Sequence, residues 1–187
     1  LEASAYASNT VIVFWSDNGW HLGEKRHWHK TTLWQRSTHV PLIFAGPGVE
    51  QAGLTRQAPG SLLDIYPTLV ELCGLPGRDD LDGQPLMPQL RDAGANREAA
   101  VSTLMGDNHA VVSQRWRYIR YADGSEELYD RVTDPGEFEN LAGVARYADV
   151  KRRHAARLPK MIAPDALERQ DYDFNFETYT FRPKVRP

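Results

Sequence analysis

The sequence holds a single cysteine, Cys73, among 187 residues. One thiol excludes an internal disulfide framework and a metal site built from several cysteines. Long hydrophobic runs are missing too: no stretch reaches the roughly 20 apolar residues that a membrane-spanning helix needs. Charge of one sign is not in excess, with 22 Lys and Arg against 25 Asp and Glu and a net charge of −3. That balance gives no global attraction to nucleic acid or to anionic lipid. The opening residues Leu1-Glu2-Ala3-Ser4-Ala5-Tyr6 lack an initiator Met and the basic and apolar parts of a targeting signal. What is present is 41% hydrophobic and 25% charged residues, enough for a packed core and inconsistent with wholesale disorder.

Two short apolar runs stand out. Thr10 to Trp15 (T-V-I-V-F-W) ends at Ser16-Asp17-Asn18-Gly19, and Val40 to Ala45 (V-P-L-I-F-A) ends at Gly46-Pro47-Gly48. Runs of this kind, bounded by turn residues, read as buried strands of an α/β sheet. The stretch between them, Trp20 to His39, is too long for a hairpin loop, and such connections usually carry a function. Ile65, Leu69 and Leu72 have helical spacing, with Pro67 in a first turn and the N-cap placed at Asp64. Further on, His109 to Gln114, Trp116 to Tyr121 and Glu127 to Tyr129 read as strands, the last two joined by a turn at Ala122-Asp123-Gly124-Ser125. Asp134-Pro135 reads as a helix start and Ala145 to Leu158 as a basic amphipathic helix. The expected fold is α/β: part of a mixed, mainly parallel sheet flanked by helices over 1–100, then a small antiparallel sheet plus helix over 101–160. An irregular tail over 161–187 completes it.

Candidate chemistry concentrates between the two apolar runs. Ligands of α/β sheets gather beyond the carboxyl ends of strands, and Asp17 and Asn18 sit there as a pair of hard oxygen donors suited to Ca²⁺ or Mg²⁺. The same string, S-D-N-G, is also ordinary turn composition. From His21 to Lys30 come three His, two Lys and one Arg. Such a cluster would make an electropositive pocket for a tetrahedral oxyanion, with a Lys ammonium as a compact charge. Lys25 and Arg26 read as solvated loop residues. A zinc site from His27 and His29 is the weaker reading, because neither H-E-x-x-H nor H-x-x-E-H occurs. Cys73, at the end of an apolar helix face, reads as a buried, inert thiol. Trp116, Tyr118 and Tyr121 read as sheet packing, and Thr38 and His39 as structural.

The string from Val11 to Gly48, with S-D-N-G, L-G-E, W-H-K and T-H-V-P-L-I in order, resembles the second half of sulfatases, members of the alkaline-phosphatase superfamily. Later segments agree: S-L-L-D-I-Y-P-T-L-V-E-L-C-G-L-P, D-G-Q-P-L, R-W-R-Y-I-R-Y and E-L-Y-D-R-V-T-D-P-G-E-F-E-N-L-A. The resemblance covers roughly Tyr6 to Leu158 and is nearest to the iduronate-2-sulfatase-like branch. It implies that Asp17 and Asn18 are metal ligands, usually for Ca²⁺, with Mg²⁺ as the other candidate. Lys30 matches the lysine that contacts the substrate sulfate and is the catalytic candidate. Trp20 and His21 fall near the substrate mouth, and His109 is placed there with them. Asn18 fits the arylsulfatase form, whereas the iduronate-like branch more often has His.

The departures define what else to expect. Sulfatases hydrolyse sulfate esters with a formylglycine made from the Cys of a C-x-P-x-R motif. Cys73 has Pro76 and Arg78 at other offsets, so the formylglycine is expected in an upstream part, and this chain reads as the C-terminal portion of a sulfatase, inactive alone. The expected partners are a small-molecule or saccharide sulfate ester and the missing N-terminal portion, without nucleic acid or membrane span. Family habit favours an extracytoplasmic place (periplasmic, secreted or lysosomal). Two alternatives are a phosphate or phosphonate ester hydrolase of the same superfamily, and a non-catalytic scaffold that retains the fold.

Overall fold

The computed structural model describes residues 1–50, 52–163 and 172–184. The first apolar run forms β1 (Ile12–Trp15). A small ribbon follows, β2 (His21–Leu22) and β3 (Trp28–His29), with His21 opposite His29. A single helical turn, α1 (Gln35–Thr38), then leads into β4 (Leu42–Ala45). β4 returns alongside β1, pairing Ile12 with Ala45 and Trp15 with Leu42.

The chain is α/β as the apolar runs indicate, and the β1–β4 pair within it is antiparallel. Hydrophobic runs mark strands but carry no direction, and an excursion of this length can bring the chain back either way. Among the described residues β1 has one partner strand, and Ile12, Phe14 and Trp15 remain exposed where the run predicts burial. A continuous apolar strand is buried only when neighbours cover both of its faces.

The second helical region is anchored by Asp64. The Leu63 N–H donates to Ser61 Oγ (3.3 Å) and the Ser61 N–H donates to Asp64 Oδ2 (2.7 Å), a reciprocal cap over a 3₁₀ turn, Leu62–Asp64. α2 (Ile65–Leu72) continues from it, with Pro67 buried in the first turn. The Asp64 carboxylate therefore does not cap α2 directly, as the sequence led one to expect. It reaches back to Ser61 and also receives the Gln84 N–H (2.9 Å) and the Arg97 guanidinium. A short α3 (Met87–Arg91) follows. Cys73, at the end of α2, is exposed rather than buried, because the helix stops at Leu72 and the chain turns away at Gly74, whose φ is +62°.

The better-packed part is a four-stranded antiparallel meander: β5 (Ala100–Leu104), β6 (Asn108–Val112), β7 (Trp116–Arg120) and β8 (Glu126–Asp130). Strand alternation gives it two different faces. Val111, Tyr118 and Leu128 pack with Leu141 and Leu158 on the side of α4 (Ala148–Ala155). Ala110, Ile119 and Tyr129 point the other way and pack against Leu33 and Trp34 of the stretch before α1. Asp134-Pro135 does not start a helix. The Glu137 N–H bonds the Asp134 carbonyl (3.0 Å) in a turn, and the helical region opens at Ala145 with a 3₁₀ turn. Within the expected irregular tail, β9 (Tyr172–Asn175) and β10 (Thr180–Pro183) pair as a hairpin. Cross-strand Phe174 and Phe181, with ring centroids 4.6 Å apart, hold it together.

Candidate active-site cleft

Residues 16–39 fold over the meander and create a cleft of about 350 Å³. Asn18, from the turn after β1, and Lys30, from the turn after β3, both line it. Thr31, Thr32, Ser37 and Thr38 add hydroxyls, and Ser102 to Met105 of β5 and its following turn form the wall from the meander. The sequence points to Asn18 and Lys30 but not to these hydroxyl residues. The Thr31-Thr32 pair next to Lys30 was the one signal for them.

The glycine after Asn18 has a packing role. The Gly19 N–H donates to the Ser37 carbonyl (2.8 Å), and a Cβ at position 19 would lie 2.0 Å from the Arg36 carbonyl oxygen. Only a residue without a side chain lets α1 close down on the end of β1. Asn18 Nδ2 donates to the Gly19 carbonyl (3.1 Å), which leaves the amide oxygen with lone pairs for a hard cation. Asp17 beside it is exposed and is not part of the cleft wall. The donor chemistry of this pair fits a Ca²⁺ or Mg²⁺ site in part. Two oxygens fall short of the roughly six to eight that Ca²⁺ takes, and among the described residues no group of three or more His, Cys, Asp or Glu could hold a metal.

Lys30 sits on strained backbone. His29 (φ 75°) and Thr31 (φ 74°) on either side are both left-handed, a conformation that a β-branched residue such as Thr rarely adopts. Strain of this kind persists only where the surroundings over-determine it. The His27 imidazole Nε2 lies 3.1 Å from the Lys30 carbonyl oxygen, and Thr32 Oγ1 lies 2.9 Å from Ser37 Oγ, closing the turn.

Trp20 and His21 are not in the Lys30 cleft. They line a second cavity of about 510 Å³ with Glu24, Arg36 and residues 135–138. His21 is fully buried, its Nε2 2.9 Å from Thr32 Oγ1, so it touches the cleft only through Thr32. Burial, and then the neighbouring His27, pull its pKa below the ordinary histidine value. A ring so held is neutral at pH 7. His109 lines neither cavity. It shares the Val111 face of β6, turned away from the loop, and is buried with Nδ1 2.9 Å from Thr103 Oγ1 and Nε2 3.0 Å from Asp107 Oδ1. Thr103, its cross-strand neighbour, is in the wall of the Lys30 cleft, so His109 stands behind that wall and meets the cleft through Thr103.

Lys25 is not a solvated loop cation. Its Nζ donates to the Tyr129 hydroxyl (3.2 Å) and to the Glu137 carbonyl, and stands 4.5 Å from the centre of the Trp34 ring. Beside it, Arg117 and Glu137 form an ion pair with 2% and 1% of their side chains exposed. Burial pulls the Arg117 guanidinium down and Glu137 opposes that shift.

Residues 1–75 match the family model described as Sulfatase. A sulfatase of Formosa agariphila is 38% identical over 187 residues, all of this chain and 36% of that protein. The chain belongs to the sulfatase family. Another family relative, human arylsulfatase K, is 32% identical over 91% of this chain and 34% of its own length. The chain thus spans about a third of the length of the curated relatives it matches. These relatives do not confirm a place in the iduronate-2-sulfatase-like branch. Among solved structures, one in complex with its substrate D-glucosamine-2-N,6-O-disulfate superposes with a TM-score of 0.72. Its sequence identity is 29%, over 80% of this chain and 33% of that one. The phosphonate monoester hydrolase of Agrobacterium radiobacter shares the fold at a TM-score of 0.69 and 25% identity, over 96% of this chain and 40% of that one. Sulfatases generally use a metal ion and a formylglycine.

Proposed function

We propose that this chain is the C-terminal portion of a sulfatase that hydrolyses a sulfate ester in a metal-dependent reaction. The observation that carries the reading is that Asn18 and Lys30 line one cleft. Asp17 and Asn18 supply two oxygen ligands to a Ca²⁺ ion, with Mg²⁺ as the lesser candidate. The metal and the formylglycine, when present, supply a positive charge and an oxygen nucleophile. Lys30 places its ammonium against the sulfate oxygens, where negative charge grows as the ester bond breaks. The hydroxyl of Thr31 holds the ester beside it, and Thr32, bonded to Ser37, supports the turn. A saccharide sulfate ester is the favoured substrate, since the structural neighbour above binds a sulfated glucosamine. Trp20 meets more distant parts of such a substrate, with the buried His21 supporting the wall behind it.

The upstream nucleophile and the remaining ligands belong to the rest of the protein, which is the first partner of this piece. The division into 1–100, 101–160 and 161–187 is retained, with 172–183 a hairpin inside the last part. No helix among the described residues is long and apolar enough to cross a membrane, and an extracytoplasmic place is proposed on family habit. A phosphonate ester hydrolase is the second reading, favoured by the shared fold of such an enzyme. Assaying the full-length protein on an aryl sulfate and on the matching phosphonate monoester decides between them: the sulfate is expected to turn over faster, and preference for the phosphonate overturns the first reading.

A further inference from the structure

We infer that the buried Arg117–Glu137 pair is a positioning device for the Lys30 cleft. The inference rests on the reading of Lys30 as the sulfate contact. Arg117 projects from β7 on the face that carries Ile119, towards the loop. Its Nε donates to Glu137 Oε1 (2.5 Å), and its Nη1 donates to the Leu33 carbonyl (3.0 Å) and to Thr38 Oγ1 (2.9 Å). Glu137 Oε2 accepts the Gln35 N–H (2.8 Å), an N-terminal amide of α1 that has no partner within the helix. The Glu137 main-chain carbonyl accepts the Lys25 ammonium. Among the described residues, each side-chain hydrogen bond that the pair makes outside itself ends on residues 33–38.

That distribution separates positioning from general stability. A buried ion pair is poor as a source of stability, since an apolar pair of similar volume often serves as well. Here the side-chain charges fix backbone at Leu33 and Gln35, after the strained 29–31 turn, while the main-chain carbonyl of Glu137 ties Lys25 before it. The left-handed His29 and Thr31 hold Lys30 in place only while both ends are fixed. Glu137 is itself left-handed (φ 57°), so the turn at 134–137 is bent to present its carboxylate and carbonyl to the loop. Release of either tie lets the turn relax and moves the ammonium at position 30, with the sheet beneath unchanged.

The test uses the full-length protein and a pair of substitutions at Gln35. Gln35→Pro removes the N–H that Glu137 accepts, and proline is tolerated at the first position of a helix. Gln35→Ala keeps that N–H and removes only the side chain. Glu137→Gln, which discharges the pair, is the third variant. Turnover of a sulfate ester and amide hydrogen exchange are measured for each at a temperature where all are folded. The expected result is kcat at least tenfold lower for Gln35→Pro, with KM within threefold of the parent, and kcat within twofold for Gln35→Ala. Amides of residues 28–38 exchange at least tenfold faster in Gln35→Pro, while those of Val111 and Leu128 do not change. Equal kcat and equal exchange in the proline and alanine variants overturn the inference. If Glu137→Gln does not fold, the Gln35 pair decides the question alone. If the parent hydrolyses no sulfate ester, the proposed function fails, and the exchange pattern of residues 28–38 still decides whether the pair positions this turn.

Discussion

Asn18 and Lys30 face a common cleft, although one ends β1 and the other follows β3. The relationship is made by packing. Gly19 admits the α1 carbonyls at the first residue, and the turn from His29 to Thr31 folds the second back over β5. A cation at the oxygen of Asn18 and the ammonium of Lys30 would then act on one small, doubly polarised ester.

The metal contribution is open to a direct test. In the full-length protein, Asp17→Ala should weaken Ca²⁺ binding at least tenfold in calorimetry, because one of two negatively polarised ligands from this piece is lost. Chelation should abolish sulfate-ester turnover and added Ca²⁺ should restore it. Unchanged affinity in the variant would remove Asp17 from the ligand set.

Asp64 ties three segments together through Ser61, Gln84 and Arg97, with 1% of its side chain exposed. Asp64→Ala leaves Arg97 without its partner and two backbone amides unsatisfied. A loss of about 3–5 kcal/mol in urea denaturation is expected, the usual cost of breaking a buried pair. The exposed Arg78–Asp80 pair is the contrast: Asp80→Ala should leave the midpoint where it is.

Stability should fall as the pH drops below about 6.5. Burial pulls the His154 pKa down from the ordinary value of 6.5, while its ring is held by the Val150 carbonyl (2.8 Å) and Ser113 Oγ (2.9 Å). Above pH 6.5 the ring is neutral in both states, and the folded state bears no penalty. Below it the unfolded chain takes up a proton that the folded one refuses, so stability is lost until the pH reaches the lower, folded value. His21 and His39 are shifted the same way. His154→Gln should therefore flatten the dependence of the denaturation midpoint between pH 7 and about 5.5 without abolishing it. An unchanged slope would contradict the assignment to His154.

Much of the frame was legible in the sequence. The apolar runs located β1 and β4, and three of the four meander strands were legible, β7 among them from its alternating aromatics Trp116 and Tyr118. β5 was missed because A-V-S-T-L has little apolar contrast, and its partner β6 makes it a strand. Local motifs pointed to Asn18 and Lys30, which line one cleft, and to Asp17, which lies outside its wall. Lys25 was misread because its partners, Tyr129 and Glu137, lie more than a hundred positions away. That His109 is buried behind the cleft wall could not be read locally either: which way a strand-start side chain points depends on register, and register comes from the sheet. The Arg117–Glu137 pair gives no local signal at all, since R-W-R and D-P-G-E look like a solvated strand end and a turn.

The measurement that bears most directly on the central claim is turnover of a sulfate ester by the full-length protein carrying Lys30→Ala. Removing a donor aimed at developing charge costs about 2.7–4 kcal/mol in comparable sites, so kcat should fall by roughly 10²–10³. Folding should be unaffected, because Lys30 is exposed. A variant that keeps the parent kcat would show that the ammonium does not meet the ester and would contradict the account.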